Sequence, residues 1–240
     1  MADVTADRPK GHPPQVLLLY YSYTGQSAKV LEAAGEVFRE RGCEVHSAPI
    51  EFTDPRYAER FSRFPMRSVW PDFLGMLPAQ TLRKTGDIRT PDEVRNGDYD
   101  LICIGSPTWW RTVSMPLRTF LTSHEARHLL EDKPFAVFVV CRRYWRENLT
   151  AVRKLAEKKG GRYRGEIHFG YPGGQLRSML SLTSYLGTGE YRDRSLGLRI
   201  PTTNVSREQL EETRRFSAKL ADRIFGKETR TTEPSPVEPS

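Results

Sequence analysis

The segment Ser22-Tyr23-Thr24-Gly25-Gln26-Ser27 gathers hydroxyl side chains, a glycine and successive backbone N–H groups into six residues. Such a segment at the start of a helix can hold a phosphate without a lysine. The first-turn N–H groups have no intrahelical acceptor, and the helix dipole favours an anion there. Gly25 lets the backbone turn closely around that anion. The same residues also suit an ordinary helix N-cap, because Ser or Thr often precedes an apolar periodic run. A second segment is Ser106-Pro107-Thr108-Trp109-Trp110-Arg111. Its tandem indoles can stack on a flat aromatic ligand, or both can be core residues. The third is Cys141-Arg142-Arg143-Tyr144-Trp145-Arg146, with two aromatic rings and three arginines. It reads either as a further wall of a site or as a solvated surface loop. No general acid or base stands out, and His46, His124, His128 and His168 read as surface or packing residues.

Strands and helices must bring these three segments together. Val16–Tyr20, reading VLLLY, is a continuous apolar run, as in a strand buried on both faces. Ser27–Arg41 has Val30, Leu31, Ala34, Val37 and Phe38 at helical spacing, and Gly42 is placed to end that helix. Further strands are expected at Cys43–Ile50, Tyr99–Gly105, Phe135–Val140 and Gly165–Phe169. Helices are expected near Met115–Ser123, Asn148–Lys159 and Arg207–Phe225, the last burying Leu210, Phe216, Leu220 and Ile224. Strands alternating with helices imply right-handed crossovers and a parallel sheet. The fold class that follows is α/β, a three-layer α/β/α sandwich. With strand order 2-1-3-4-5, a ligand sits beyond the carboxyl ends of the strands, where the winding reverses between strands one and three. The first two segments flank that crevice.

Two stretches, 51–98 and 170–204, are too long to be simple connections. The first holds the aromatic, Met- and Pro-rich run around 61–77, and the second has an apolar helical pattern over Leu176–Leu186. Each is expected to pack on the sheet, or to line a substrate pocket, a dimer interface or a membrane-facing patch. One domain over 15–226 is expected, between disordered tails at 1–14 and 227–240 rich in charge and in Pro.

Ser22-Tyr23-Thr24-Gly25-Gln26-Ser27 resembles the S/T-x-T-G-x-S/T phosphate loop of flavodoxins. Gly105-Ser106-Pro107-Thr108-Trp109 is similar to the segment with which flavodoxin-fold proteins border the flavin ring. The resemblance covers about residues 15–169 and returns at 206–226. It implies that Ser22, Tyr23, Thr24, Gly25, Gln26 and Ser27 hold the phosphate of FMN. Pro107, Thr108, Trp109 and Trp110 would border the ring, and Cys141, Arg142, Arg143 and Tyr144 would form a third wall. Phe64-Pro65, the Trp109 segment and the Cys141-Arg142 turn before Trp145 also resemble a group of flavodoxin-family proteins labelled dialkylresorcinol-condensing. The family implies either an NAD(P)H-dependent FMN oxidoreductase acting on a small quinone-like acceptor, or an electron carrier docking an acidic redox partner. A flavodoxin-like fold that has lost flavin is a third possibility. A homodimer is plausible from related reductases.

The net charge of +7 departs from the acidic electron-carrying flavodoxins. Arg142, Arg143 and Arg146 near a flavin would stabilise its anionic reduced form. The basic residues are dispersed and no nucleic-acid motif is visible, so nucleic acid is not an expected partner. The N-terminal residues carry no signal-peptide pattern, and no run approaches the roughly 18 apolar residues of a membrane span; only peripheral membrane contact is left open. Three cysteines without a CxxC pair point to a reducing, cytoplasmic setting.

Overall fold

The computed structural model describes residues 12–61, 64–141, 143–170, 174–195, 197–200, 202 and 204–226. Most of both expected tails, and Arg142, lie outside them. Five parallel strands form the sheet: β1 (Gln15–Tyr20), β2 (Glu44–Pro49), β3 (Leu101–Trp109), β4 (Pro134–Val140) and β5 (Arg162–Phe169). Their spatial order is β2-β1-β3-β4-β5, which is the order expected from the sequence.

Successive strand residues point to opposite faces, and both faces are buried. Leu17 and Leu19 of β1, Ile102 and Ile104 of β3, and Phe135, Val137 and Val139 of β4 share one core. Val16 and Leu18, Leu101 and Cys103, and Ala136 and Phe138 share the other. The second core is covered by α1 (Gln26–Glu40) and α7 (Arg207–Phe225). The first is covered by α3 (Met115–Thr122), α4 (His124–Leu130) and α5 (Trp145–Lys158). Three layers follow. Val30, Leu31, Ala34, Val37 and Phe38 of α1 are all buried, which is the face that their spacing marks. Helix α7 opens with a reciprocal cap: Ser206 N–H donates to Gln209 Oε1 at 3.0 Å, and Gln209 N–H donates to Ser206 Oγ at 3.3 Å. Gly105 of β3 faces Tyr20 of β1, and a Cβ there would lie 2.8 Å from Leu31 Cδ1, so a glycine allows α1 to lie against the sheet at the switch point.

Strand β3 is longer than the sequence suggests. Ser106, Pro107, Thr108 and Trp109 continue it rather than forming a loop. Ser106 and Pro107 stay in register with Val139 and Val140, and Thr108 and Trp109 pair antiparallel with Thr112 and Val113. Pro107 is tolerated at the end of the parallel ladder, where pairing with β4 stops. Trp110 turns this hairpin with a φ of 56°.

The stretch 51–98 contains a short antiparallel pair, Glu51–Phe52 with Ile88–Arg89, and helix α2 (Val69–Thr81). The stretch 170–204 contains α6 (Gln175–Thr188) and a second small pair, Arg194–Ser195 with Leu198–Arg199. Both supply residues to a cavity beyond the carboxyl ends of the strands. The two ends of the first stretch are clasped by Asp54. Its fully buried carboxylate accepts from Arg56 Nε at 2.9 Å and Nη2 at 2.6 Å, and from the N–H groups of Arg56 at 3.0 Å and Asp87 at 3.1 Å. The Arg56 hydrogen bonds, over the opposing effect of burial, push the Asp54 carboxyl down to about 2. A depressed carboxyl stabilises the fold above its unfolded value and loses that contribution as pH falls through the folded one. Asp54→Asn is therefore expected to lower stability by about 2 kcal/mol at pH 7. Urea midpoints of the two proteins should converge as the pH falls below 4 toward 2.

Candidate functional site

Helix α1 starts immediately beyond the carboxyl end of β1. Its N-cap is Gly25, in the left-handed conformation at φ 76°, and no side chain caps from that position. The first closed turn is the Lys29 N–H to Gly25 carbonyl bond at 3.0 Å. The amides of Gln26, Ser27 and Ala28 therefore have no intrahelical acceptor. Ser22 Oγ accepts from Ala28 N–H at 3.2 Å. The N-cap reading thus holds for one hydroxyl, that of Ser22. The Gln26 and Ser27 amides and the Thr24 and Ser27 hydroxyls lie at the mouth of the helix dipole, where donors of this kind can hold an anion.

These residues open on a cavity of about 730 Å3, within the usual size of a small-molecule site. The cavity unites the three segments singled out in the sequence. Ser22, Tyr23, Thr24, Gln26 and Ser27 form one wall; Pro107, Thr108, Trp109 and Trp110 form the second; Cys141, Arg143 and Tyr144 form the third. Gly25 shapes the turn without lining the cavity. The Gln26 side chain is directed elsewhere than an anion: Nε2 donates to the Thr24 carbonyl at 3.3 Å and the Tyr185 hydroxyl at 3.4 Å, and Oε1 accepts from Val205 N–H at 2.9 Å. It ties the loop to the second insertion and to the segment before α7.

The second wall is fixed from behind. Ser106 Oγ donates to Asn148 Oδ1 at 2.7 Å, and Asn148 Nδ2 donates to Thr108 Oγ1 at 2.7 Å. Gln80 of α2 donates to the carbonyls of Trp109 at 3.2 Å and Val113 at 2.7 Å, closing both ends of the hairpin. Trp109 is stacked on Phe61 at 4.7 Å and meets Tyr21 edge-on at 5.5 Å. It is held as part of an aromatic wall, so both sequence readings of this indole, core and lining, apply at once. On the third wall, the Arg111 guanidinium lies 5.0 Å from the Tyr144 ring centre and Arg143 lies 6.0 Å from it. Arg146 does not line this cavity; its guanidinium sits 4.6 Å over the Trp145 ring. Trp145 stacks in turn on His168 at 3.5 Å, and burial, aided by Arg146, lowers the His168 pKa against the pull of Glu166.

The fourth side of the cavity comes from the two insertions, for which lining a pocket was one of the expected roles. Helix α6 supplies Ser178, Met179, Leu182, Tyr185 and Leu186, and the first insertion supplies Phe61 and Met66. Their sequence signal was the 3–4 spacing of Met179, Leu182 and Leu186 within the Leu176–Leu186 pattern. Tyr23 meets Phe61 edge-on at 5.4 Å, and burial, with the charge of Asp72 second, pushes its phenol up to about 12, so it stays protonated at neutral pH. Outside the cavity, α2 exposes Trp70 and Leu74 one turn apart, and α6 exposes Leu176. Among the described residues no group of three or more His, Cys, Asp or Glu side chains could hold a metal. No described helix is long and apolar enough to cross a membrane.

No protein-family model matches the chain. Over 107 residues it is 27% identical to an NAD(P)H dehydrogenase (quinone) of Archaeoglobus fulgidus, a match covering 45% of this chain. The chain spans about half (49%) of the length of that curated relative. Among solved structures, a flavoprotein in complex with FMN from Lactobacillus acidophilus NCFM matches 65% of this chain and 93% of its own, at 19% identity and TM-score 0.48. A flavodoxin from the domain Archaea matches 88% of this chain and 99% of its own, at 13% identity and TM-score 0.50. Strand order, helix layers and that likeness agree: the chain has the flavodoxin-like α/β fold.

Proposed function

We propose that this protein binds FMN in the 730 Å3 cavity and works as an NAD(P)H-dependent oxidoreductase delivering electrons to a small quinone-like acceptor. The observation that carries the reading is the α1 N-terminus: amides of Gln26 and Ser27 without intrahelical acceptors, placed at the β1/β3 reversal and facing an aromatic-walled cavity. The likeness to a quinone-directed NAD(P)H dehydrogenase supports the choice of chemistry.

In this reading the Gln26 and Ser27 amides and the Thr24 and Ser27 hydroxyls hold the phosphate. The walls carrying Trp110 and Tyr144 border the ring. Arg111 and Arg143 set a positive potential at that end of the cavity, which favours a negatively charged reduced ring. When bound, FMN supplies the two-electron redox chemistry, while the protein supplies orientation and electrostatics. Met179, Leu182 and Leu186 of α6 exclude water and give the acceptor an apolar face.

Absorbance tests this directly. The protein should take up FMN with the loss of free-flavin fluorescence, and the loaded protein should bleach rapidly when NADPH is added without oxygen. Uptake of FMN without bleaching, until a reductase is supplied, would identify an electron carrier that docks an acidic partner through its basic surface. Failure to take up FMN would overturn the cofactor assignment.

A further inference from the structure

A second cavity, of about 980 Å3, lies between α2, the 109–113 hairpin, α3 and α5. Trp110 and Arg111 line both cavities, so the two are neighbours across one hairpin turn. Its described lining holds five cationic side chains, Arg83, Arg111, Arg118, Arg146 and Lys154, against one carboxylate, Glu147. Leu77, Val113, Ala151 and Leu155 give it an apolar floor.

The groove gathers more cations than its one carboxylate can neutralise. Arg39, Arg41, Arg89, Arg95 and Arg214 each reach a carboxylate within 3.1 Å. In the groove, Glu147 is 4.0 Å from Arg111, and no ion pair among the described residues joins Arg83, Arg118, Arg146 or Lys154 to a carboxylate. Arg118 is 5% exposed, and its guanidinium donates to two backbone carbonyls, Lys84 at 3.0 Å and Val113 at 2.8 Å. Burial, and then the like charge of Arg83, push Arg118 down to about 10, so it is still charged at neutral pH. A buried guanidinium facing a second cation, with carbonyls but no anion, is costly to keep unless an anion arrives.

We propose that this groove holds the phosphate-bearing half of the reductant, and that the reductant is the 2′-phosphorylated dinucleotide, NADPH, with its nicotinamide end passing Trp110 into the FMN cavity. The assignment of the ligand as reductant rests on the function proposed above; the groove's affinity for a phosphorylated nucleotide does not. The charges match: a pyrophosphate and a 2′-phosphate together carry roughly four negative charges, against the excess of cations in the lining. The 2′-phosphate distinguishes NADPH from NADH by charge-assisted hydrogen bonds that a hydroxyl cannot replace. The apolar floor suits the adenine ring.

Adenosine 2′,5′-bisphosphate, which lacks nicotinamide and cannot be reduced, tests the groove alone by calorimetric titration of the full chain with and without FMN. It should bind in both forms and weaken with added salt. NADP+ should bind about tenfold or more tightly than NAD+. Arg83 and Lys154 are exposed and lie outside the FMN cavity. The double variant Arg83→Glu/Lys154→Glu should lose about tenfold or more of the affinity for the bisphosphate and for NADP+, with FMN affinity and thermal midpoint unchanged. No bisphosphate binding, equal affinities for NADP+ and NAD+, or a variant that binds both ligands as before would overturn the proposal. Bisphosphate binding in a chain that refuses FMN would leave an anion site but overturn its assignment to a reductant.

Discussion

Thr24→Asp is expected to weaken FMN binding about a thousandfold without harming the fold. Thr24 lines the cavity and belongs to neither core. Its backbone carbonyl accepts from Gln26 Nε2, a contact that does not use the hydroxyl. A carboxylate at this position would stand about 4 Å from a bound phosphate, where two like charges cost about 4 kcal/mol at the effective dielectric of a protein surface. Each 1.4 kcal/mol is a factor of about ten in affinity. The same carboxylate would face the Gln26 and Ser27 amides and the positive end of the α1 dipole, which an acidic side chain stabilises. The thermal midpoint of the FMN-free variant should therefore equal or slightly exceed that of the parent while FMN affinity collapses. Thr24→Ala, which removes a hydroxyl and adds no charge, should cost only about tenfold. Equal FMN affinity in Thr24→Asp and the parent would mean that the α1 N-terminus is not the phosphate site.

While their order came with the resemblance to flavodoxins, the central strands were legible in the sequence because burial on both faces leaves continuous apolar runs. VLLLY and FAVFVV show it most plainly, and Leu17/Leu18 and Val137/Phe138 do divide between the two cores. The three segments were legible because a parallel sheet delivers the carboxyl ends of its strands to one side. Helix α2 was not legible. Pro71, Gly75 and Pro78 all argue against a helix, yet Pro71 falls in the first turn, where its missing N–H costs nothing. Burial of Met76, Ala79 and Gln80 then outweighs the bond lost at Pro78. The extension of β3 through Trp109 was hidden because Ser-Pro-Thr reads as a turn until its hairpin partner at Thr112–Val113 is known. The division of the arginines between two cavities was also hidden. Arg143 and Arg146 are neighbours in sequence, but α5 begins between them and carries Arg146 away to the groove.

Asn148→Ala is expected to cost about 3 kcal/mol of stability and to weaken FMN binding, although Asn148 does not line the cavity. Ser106 and Asn148 are fully buried, and the amide satisfies two hydroxyls at once, accepting from Ser106 and donating to Thr108. Truncation leaves the Ser106 hydroxyl in the core without its acceptor, at about 1–3 kcal/mol, and adds a small cavity between α5 and β3. Removing both ends of the buried bond should be milder. Ser106→Ala/Asn148→Leu replaces the pair with apolar groups, and denaturant midpoints should recover a large part of the loss by the non-additivity of a double-mutant cycle. FMN affinity should not recover with it, because Thr108 still lacks the donor that orients its hydroxyl beside the cavity. That split separates two functions of one side chain: the Ser106 bond holds α5 to the sheet, and the Thr108 bond sets the geometry of the wall. If the double variant regained both stability and FMN affinity, β3 and Gln80 alone would fix the wall, and Asn148 would be only a packing residue of the α5–β3 contact.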